Sequence, residues 1–309
     1  MTAPVQVPLQ QLPRFVAAGE ALTDMIRAAD GSWASKVGGA TWNVARVVGK
    51  LGIYSAFAGG ISCDVFGDAL WTASALSGLD LRFIQRLAKS PLLAFVPETH
   101  PPRYFFVGDD SADLHFDAAT LPTGWQQQVQ WAHFGGISLA REPLAGKLLA
   151  LATELKAAGV KISYDPNFRV TMDERYDATL RQMSALADVI KVSDDDLVGL
   201  FRSGDIDKSL DVVRNWNSRA VILYTRGAAG ATLHVGQQTW HSSAPKIDVV
   251  DTVGAGDASI GGLLFSLMQY PQRDWPAHLR FAVCAGAGAC LAAGAAPPSL
   301  QIITDLFSA

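Results

Sequence analysis

Apolar residues in this chain recur in two rhythms, and the switching between those rhythms is its clearest structural signal. From Trp131 onward, apolar runs of strand length trade places with longer segments whose apolar positions fall three and four apart. Trp131 to Phe134, Val160 to Tyr164, Val189 to Val192 and Ala220 to Tyr224 read as strands. Leu144 to Ala158 (closed by Gly159), Ala178 to Ala187, Asp194 to Phe201 and Leu210 to Asn215 read as helices. Strands that alternate with helices predict a parallel sheet covered on both faces, because a parallel connection needs a long crossover.

The first third adds Arg14 to Gly19 as an opening strand and Ala40 to Leu51 as an amphipathic helix after Gly38-Gly39. Tyr54 to Ala58 reads as a strand, and Val65 to Ser77 as a helix stopped by Gly78. Residues 82–118 break the pattern. They hold short β-like runs (Leu92 to Val96, Tyr104 to Val107), prolines and no long helix, which predicts a small antiparallel insertion. Near the C-terminus, Ile247 to Val250 is strand-like, a glycine loop follows, and Ile260, Leu263, Leu264 and Leu267 mark a helix. The predicted fold is α/β, a three-layer, doubly wound, mostly parallel sheet with a small β lid. No repeat or low-complexity linker divides the chain, so residues 1–309 form one domain. Its lid comes from about 82–118 together with about 22–37.

Composition narrows the function classes. Of 309 residues, 49% are hydrophobic and 17% charged, enough apolar material for a large core. The net charge of −4 comes without any basic run, which argues against nucleic acid as a partner. No uninterrupted apolar stretch is long enough to span a membrane. Phe281 to Pro297, rich in Ala and Gly, reads as a buried packing helix. Met1 to Pro13 lacks the pattern of a signal peptide. Cys63, Cys284 and Cys290 form no metal-type spacing, and Cys284 and Cys290 read as core. The expectation is a reducing, cytoplasmic location.

Asp251-Thr252-Val253-Gly254-Ala255-Gly256-Asp257 is the segment with chemistry in it. Small residues let backbone approach a ligand, and the free N–H groups and dipole of a helix start attract phosphate oxygens. Asp257, in the first turn, is badly placed to bind an anion and well placed to take a proton from a hydroxyl that attacks one. The alternative is a glycine-rich turn with an ordinary helix-start acid. Polar clusters also follow the other strands: Asp165-Pro166-Asn167-Phe168-Arg169, Ser193 to Asp196, and Thr225-Arg226-Gly227. In open α/β sheets, ligands bind at this carboxyl end.

The sequence resembles the ribokinase-like sugar kinases, the PfkB carbohydrate kinases, from about Phe15 to Ile303. The resemblance rests on residues 251–257, Gly38-Gly39-Ala40-Thr41-Trp42-Asn43-Val44-Ala45, Asp165-Pro166-Asn167 and Thr225-Arg226-Gly227. Phe134-Gly135-Gly136-Ile137-Ser138-Leu139-Ala140 and Ala112-Asp113-Leu114 resemble its bacterial fructokinase branch most. The resemblance implies ATP-dependent phosphorylation of a sugar primary hydroxyl, fructose first. 2-Keto-3-deoxygluconate, ribose and nucleosides are the alternatives within the family. It implies Asp257 as catalytic base and Gly254, Ala255 and Gly256 as amide donors to the transferred phosphoryl group. A sugar site would draw on Asp24, Gly38, Gly39, Asn43 and Arg103.

Each of these has a plainer reading: Asp24 a solvated turn acid, Asn43 a helix N-terminal residue, Arg103 a surface charge. The nucleotide would meet Ser193, Thr225, Arg226, Gly227, Ala282, Ala285 and Gly286. Mg²⁺ would be reached through water by Asn167 and Asp196, although Ser193 to Asp196 also reads as a helix cap. A monovalent cation such as K⁺ would lie near Asp251, Val253 and the Gly294 loop, which Pro297-Pro298 alters. Ser193-Asp194-Asp195-Asp196 replaces the family's Asn-x-x-Glu. Ser62 stands where Gly is common and Ser259 where Phe is common. Trp42 stands beside the sugar site in place of a small residue, where it would reshape the pocket or stack on a sugar.

Two other classes stay open. One is a sugar or nucleotide sensor that keeps the fold without catalysis. The other is a dinucleotide-dependent dehydrogenase, disfavoured because no Gly-x-Gly-x-x-Gly follows the first strand. Apolar residues of the lid (Leu92, Leu93, Phe95, Phe105) predict a homodimer formed through it, and the lid is expected to close over the sugar.

Overall fold

The computed structural model describes residues 11–99 and 102–308, with the side chains of 98, 99, 102 and 103 undescribed. The first strand, β1 (Phe15–Ala18), is completely buried and lies inside a nine-stranded sheet. The other strands in chain order are β2 (Leu22–Arg27), β3 (Trp33–Gly38), β4 (Ser55–Ser62), β5 (Ile84–Leu87), β6 (Leu93–Thr99) and β7 (Pro102–Val107). β8 (Trp131–Gly135), β9 (Lys161–Asp165), β10 (Val189–Ser193), β11 (Val221–Thr225), β12 (Ala231–Val235) and β13 (Gln238–Ser242) complete the set. The helices are α1 (Ala40–Lys50), α2 (Val65–Leu76), α3 (Trp125–Gln128), α4 (Leu144–Ala157), α5 (Asp177–Leu186), α6 (Asp194–Phe201) and α7 (Ile206–Trp216). α8 (Ala255–Gln269), α9 (Trp275–Ala289) and α10 (Leu300–Ser308) follow.

The large sheet runs β13-β12-β11-β10-β9-β8-β1-β4-β5. Every pair from β5 to β11 is parallel, and the last two pairs are antiparallel. Its inner strands, β4, β8 and β10 among them, are buried on both sides, as their continuous apolar runs require. One core cluster joins α4, α5 and α6 to one face, and a second joins α1, α8 and α9 to the other. Chain order reverses at β1. Its two neighbours, β4 and β8, are reached by connections leaving in opposite directions, so a crevice opens between the carboxyl ends of β1 and β8.

A separate four-stranded sheet, β3-β2-β6-β7, forms the lid. It is narrower than expected from 82–118, because β5 pairs in parallel with β4 and belongs to the large sheet. Strand alternation divides its faces. Leu22, Asp24, Ala94, Tyr104 and Phe106 look into the crevice. Trp33 and Phe105 stay exposed on the other face, where Phe105 stacks on Phe95 and Trp33 meets Phe95 edge-on. Leu92, expected on the exposed face, is buried within the chain.

Two further expectations change. Ile247 to Val250 is not a strand: Asp248 interrupts its apolar run, Val249 and Val250 are exposed, and the Val250 amide is taken by the Cys290 carbonyl at the end of α9 (2.9 Å). Trp42 does not reach the crevice between β1 and β8. It is fully buried between α1 and α2, where its Nε1–H donates to Ser74 Oγ at 2.8 Å. Among the described residues no helix is long and apolar enough to cross a membrane.

Because Trp42 fills the joint between α1 and α2, Trp42→Ala is expected to cost about 3–5 kcal/mol, as aromatic truncation in cores does. Urea unfolding followed by circular dichroism checks this, and a loss under 1 kcal/mol would contradict the packing described.

Candidate active site

The residue with the most constrained position is Asp257. Gly254, at φ 80, turns the chain into α8, so Asp257 is the third residue of that helix and points inward. Its carboxylate is 9% exposed, and its Oδ2 accepts from Asn43 Nδ2 at 2.8 Å. Burial pushes its pKa up to about 6, against the pull of that hydrogen bond and of the Lys191 and Arg169 charges. The carboxyl is therefore ionised at neutral pH yet remains a usable proton acceptor.

Asp257 opens onto a cleft of about 170 Å³ at the β1/β8 crevice. Glu20, just after β1, spans the crevice. It accepts from Ala40 N–H (3.1 Å) and from Ser138 Oγ–H (2.6 Å), so it ties α1 to the segment after β8. Asp24 faces the same cleft from the lid and accepts no hydrogen bond from a described residue. Burial raises its pKa to about 6, with Arg169 opposing. Gly38 makes room for it, since a Cβ there would sit 2.3 Å from Asp24 Oδ2. Gly39, at φ 117, lets α1 start against the Glu20 carbonyl. The side chain of Arg103 lies outside the described residues. Arg169, which sequence reasoning left without a role, lines the cleft beneath Tyr104, with its ring 5.4 Å away, and donates to Asn167 Oδ1 at 2.6 Å.

A larger cleft of about 560 Å³ lies on the other side of residues 252–257. The loop is the wall between the two: Val253, Gly254 and Asp257 face the small cleft, and Thr252, Ala255 and Gly256 the large one. Thr225, Gly227, Ser259 and Gly286 line the large cleft. Its size and apolar walls suit a ligand with a flat ring system and a polar tail. Ala282 and Ala285 do not reach it. They sit on the opposite side of α9, fully buried against α8, while Val283, Gly286, Ala287 and Cys290 share the open face. Cys290, expected as plain core, is thus part of this wall. Arg226 also turns away, donating to His241 Nδ1 at 3.1 Å, because the β12–β13 hairpin rises beside it. Of the three expected amides, that of Ala255 is engaged by the Thr252 carbonyl at 3.2 Å. The amides of Gly254, Gly256 and Asp257 have no backbone acceptor among the described residues.

Beneath Gly256 lies a cation that the sequence reading missed. Lys191, 5% exposed, places Nζ 3.2 Å from Asp165 and 3.3 Å from Asp196. A Cβ on Gly256 would lie 3.3 Å from that nitrogen. The signal was present as a lysine inside the apolar run Val189-Ile190-Lys191-Val192. Three carboxylates crowd one ammonium here. Asp196 is held low because Lys191 and hydrogen bonds from Ser193 and Phe168 outweigh its burial. Asp165 is pushed up to about 7 by burial despite Lys191.

Direct metal coordination by Asp196 does not fit. Its Oδ1 takes the Phe168 N–H at 2.7 Å and its Oδ2 takes the Ser193 N–H at 2.8 Å in a capping box. Ser193 is engaged in the same box and does not line the large cleft. Asn167 Oδ1 is held by Arg169. Asp251 likewise commits its oxygens to the amides of Val253 (3.0 Å) and Gly294 (2.8 Å). No group of three or more metal-binding side chains occurs among the described residues.

The arrangement places a buried carboxylate in one cleft and helix-start amides without a backbone acceptor among the described residues at the border with a second cleft. That is what transfer of an anionic group between two bound ligands requires. Comparison with known proteins agrees. The model of the pfkB family carbohydrate kinases matches residues 13–302. Fructokinase-2 of Zea mays is 32% identical over 317 residues, covering 95% of this chain and 93% of that one. The crystal structure of fructokinase with bound ATP from Xylella fastidiosa superposes with a TM-score of 0.85 at 28% identity, covering 96% of this chain and 99% of that one. Fructokinase from Vibrio cholerae O395, in a form with fructose, ADP and calcium bound, gives 0.83 at 26% identity, covering 95% and 98%.

Raising a carboxyl pKa from 3.8 to about 6 means that ionising it weakens the fold. Stability from this group is complete below pH ~4 and is lost as pH rises through about 6. Asp257→Asn, which stays neutral, is therefore expected to be more stable than the parent at pH 8, by on the order of 1–2 kcal/mol, with the gain gone at pH 4. Urea midpoints at the two pH values test it. A variant less stable at pH 8 would mean the carboxylate is favourably held rather than strained.

Proposed function

This chain belongs to the pfkB family of carbohydrate kinases and is a sugar kinase. We propose that it transfers the terminal phosphoryl group of ATP to a primary hydroxyl of a monosaccharide, with fructose as the preferred acceptor. The observation that carries the reading is the shared wall: Asp257 faces a sugar-sized cleft, while Ala255 and Gly256, its neighbours in the same turn, face a nucleotide-sized one. The relatives named fructokinase support the choice of sugar.

In this reading Asp24 grips adjacent sugar hydroxyls, and Asn43 steadies the Asp257 carboxylate. Asp257 takes the proton of the attacking hydroxyl as its oxygen closes on phosphorus. The amides of Gly254 and Gly256, reinforced by the α8 dipole, hold the charge on the transferred group. Lys191, buried under Gly256 and paired with Asp165 and Asp196, offsets their negative charge beside the same place. Thr225 and Gly227 meet the nucleotide's phosphates, and Gly286 its ring. The ion requirements carried by the resemblance are part of the proposal: Mg²⁺ arriving with the nucleotide and reached through water by Asn167 and Asp196, and K⁺ beside Asp251 and Val253. When bound, Mg²⁺ neutralises phosphate charge. Location in the cytoplasm is proposed with the activity.

A panel of ATP with fructose, 2-keto-3-deoxygluconate, ribose and nucleosides, read by ADP release, tests the function. Fructose is expected to give the highest kcat/KM. No turnover on any acceptor sinks the kinase reading, and binding without turnover supports a sensor. Asp257→Asn is expected to lose about 10²–10⁴ in kcat. The base works only when ionised, so kcat/KM should fall about tenfold per pH unit below about 6.

We also propose a homodimer formed by the outer lid faces, where Trp33, Phe105 and Val107 are 43–51% exposed. Light scattering at micromolar concentration is expected to give twice the 32.9 kDa chain mass. Phe105→Glu should give the single-chain mass, and a monomeric parent protein would contradict the interface.

A further inference from the structure

Arg46 lies on α1 one turn after Asn43 and lines neither cleft. Its guanidinium stacks on the buried Trp42 ring, 4.2 Å from the centroid. Nε donates to Ser77 Oγ at 3.1 Å. Nη1 donates to the Ala295 carbonyl at 3.1 Å and reaches Asn43 Oδ1 at 3.4 Å, the long end of hydrogen-bond reach. Burial, with no carboxylate among the described residues offsetting it, draws the group down to about 10. A half-buried cation with no counter-ion among the described residues needs a reason beyond stability.

The reason lies in what it touches. An amide can face either way, but a guanidinium only donates and a carboxylate only accepts. With Arg46 on one side and Asp257 on the other, Asn43 has one orientation: Oδ1 toward Arg46, Nδ2 toward Asp257. The second contact acts from behind. Ala295, whose carbonyl Arg46 holds, is the residue against which Gly254 packs, since a Cβ on Gly254 would come within 2.9 Å of the Ala295 Cα. One guanidinium thus touches the donor to Asp257 and the loop that backs the turn carrying it.

We propose that Arg46 is a positioning residue for phosphoryl transfer, which holds the Asp257 carboxylate at the attacking oxygen through Asn43 and through the Ala295 loop. The inference rests on the sugar-kinase reading above. It predicts an effect on turnover without an effect on binding, because Arg46 meets neither ligand. The charged groups that face Asp257 directly stay in place in an Arg46 variant. They are Lys191 from β10, Arg169 after β9, and the carboxylates of Glu20 after β1, Asp165 at the end of β9 and Asp24 across the cleft on β2, which titrates in the same range and is left untouched. What changes is the hold on the Asn43 amide, the hydrogen bond that favours the ionised form.

The test uses purified full-length Arg46→Met and Arg46→Lys beside the parent, on the sugar the parent phosphorylates best. Met keeps an apolar stem on Trp42 and removes charge and donors. Arg46→Met is expected to lose about 10–100-fold in kcat, with KM for sugar and ATP within about threefold, as a misplaced catalytic group does. The acid limb of its kcat/KM profile is expected to move up by about half a pH unit or more. Methylguanidinium should restore part of the lost turnover, and Arg46→Lys should retain more activity than Arg46→Met.

The position of the acid limb is read from whatever fraction is folded, so partial misfolding cannot imitate its shift. An active parent whose Arg46→Met variant keeps the acid limb in place, or loses activity through KM alone, overturns the inference and leaves the function standing. A parent inactive on every acceptor overturns both.

Discussion

The hydrogen bond from Asn43 to Asp257 joins two helix starts 214 residues apart in sequence, and the site depends on it. An Asp in the first turn of a helix ordinarily faces solvent or caps a neighbour. Here the turn is buried by the packing of α1 on α8, so the carboxylate has lost most of its water. The amide replaces part of that hydration. Without it, the desolvated acid would hold its proton more tightly and lose its orientation together. Burial and the amide act in opposite directions on the same group. Burial wins, and the amide limits its effect, which leaves a carboxylate that is ionised at neutral pH but not inert.

Beneath this, the sheet supplies a second balance. One ammonium, that of Lys191, serves Asp165 and Asp196 directly and Asp257 at longer range. Three negative charges around one positive charge in a dry interior cannot all be equally stable. The structure ranks them by hydrogen bonds. Asp196 collects the amides of Phe168 and Ser193 and stays ionised, whereas Asp165, with less help, titrates nearest neutrality. A capping box that resembles routine helix architecture therefore also sets which acid carries charge beneath the glycine turn.

Much of this was legible from residue order alone, because parallel strands and amphipathic helices impose different periods. The alternation after Trp131 returned its strands and helices within a residue or two, although α7 begins four residues earlier than its apolar pattern suggested. What escaped is where period carries no information. Ile247 to Val250 is apolar enough for a strand, but its last amide bonds the Cys290 carbonyl at the end of α9, a partner that period cannot announce. On α9 the Ala/Gly composition announced close approach without giving its phase, so Ala282 and Ala285 were assigned to the cleft that Val283 and Cys290 line. Arg46, which acts across the fold, gave no local signal, and Arg169 gave only its place in the polar cluster after β9. The glycine turn was readable because backbone conformation, small size and an adjacent acid coincide in seven consecutive residues.

The wall between the two clefts is one turn thick, and its successive residues look to opposite sides. Such a partition couples the two pockets under mutational drift. A substitution there that improves the fit of one ligand moves the backbone seen by the other, so selection cannot tune the two independently at those positions. Divergence in acceptor preference is then pushed outward, onto the lid residues Leu22, Ala94 and Phe106, which meet only the smaller cleft. A lineage of such enzymes can change its sugar while its phosphate chemistry stands still, because the fold has put the variable part on a separate sheet.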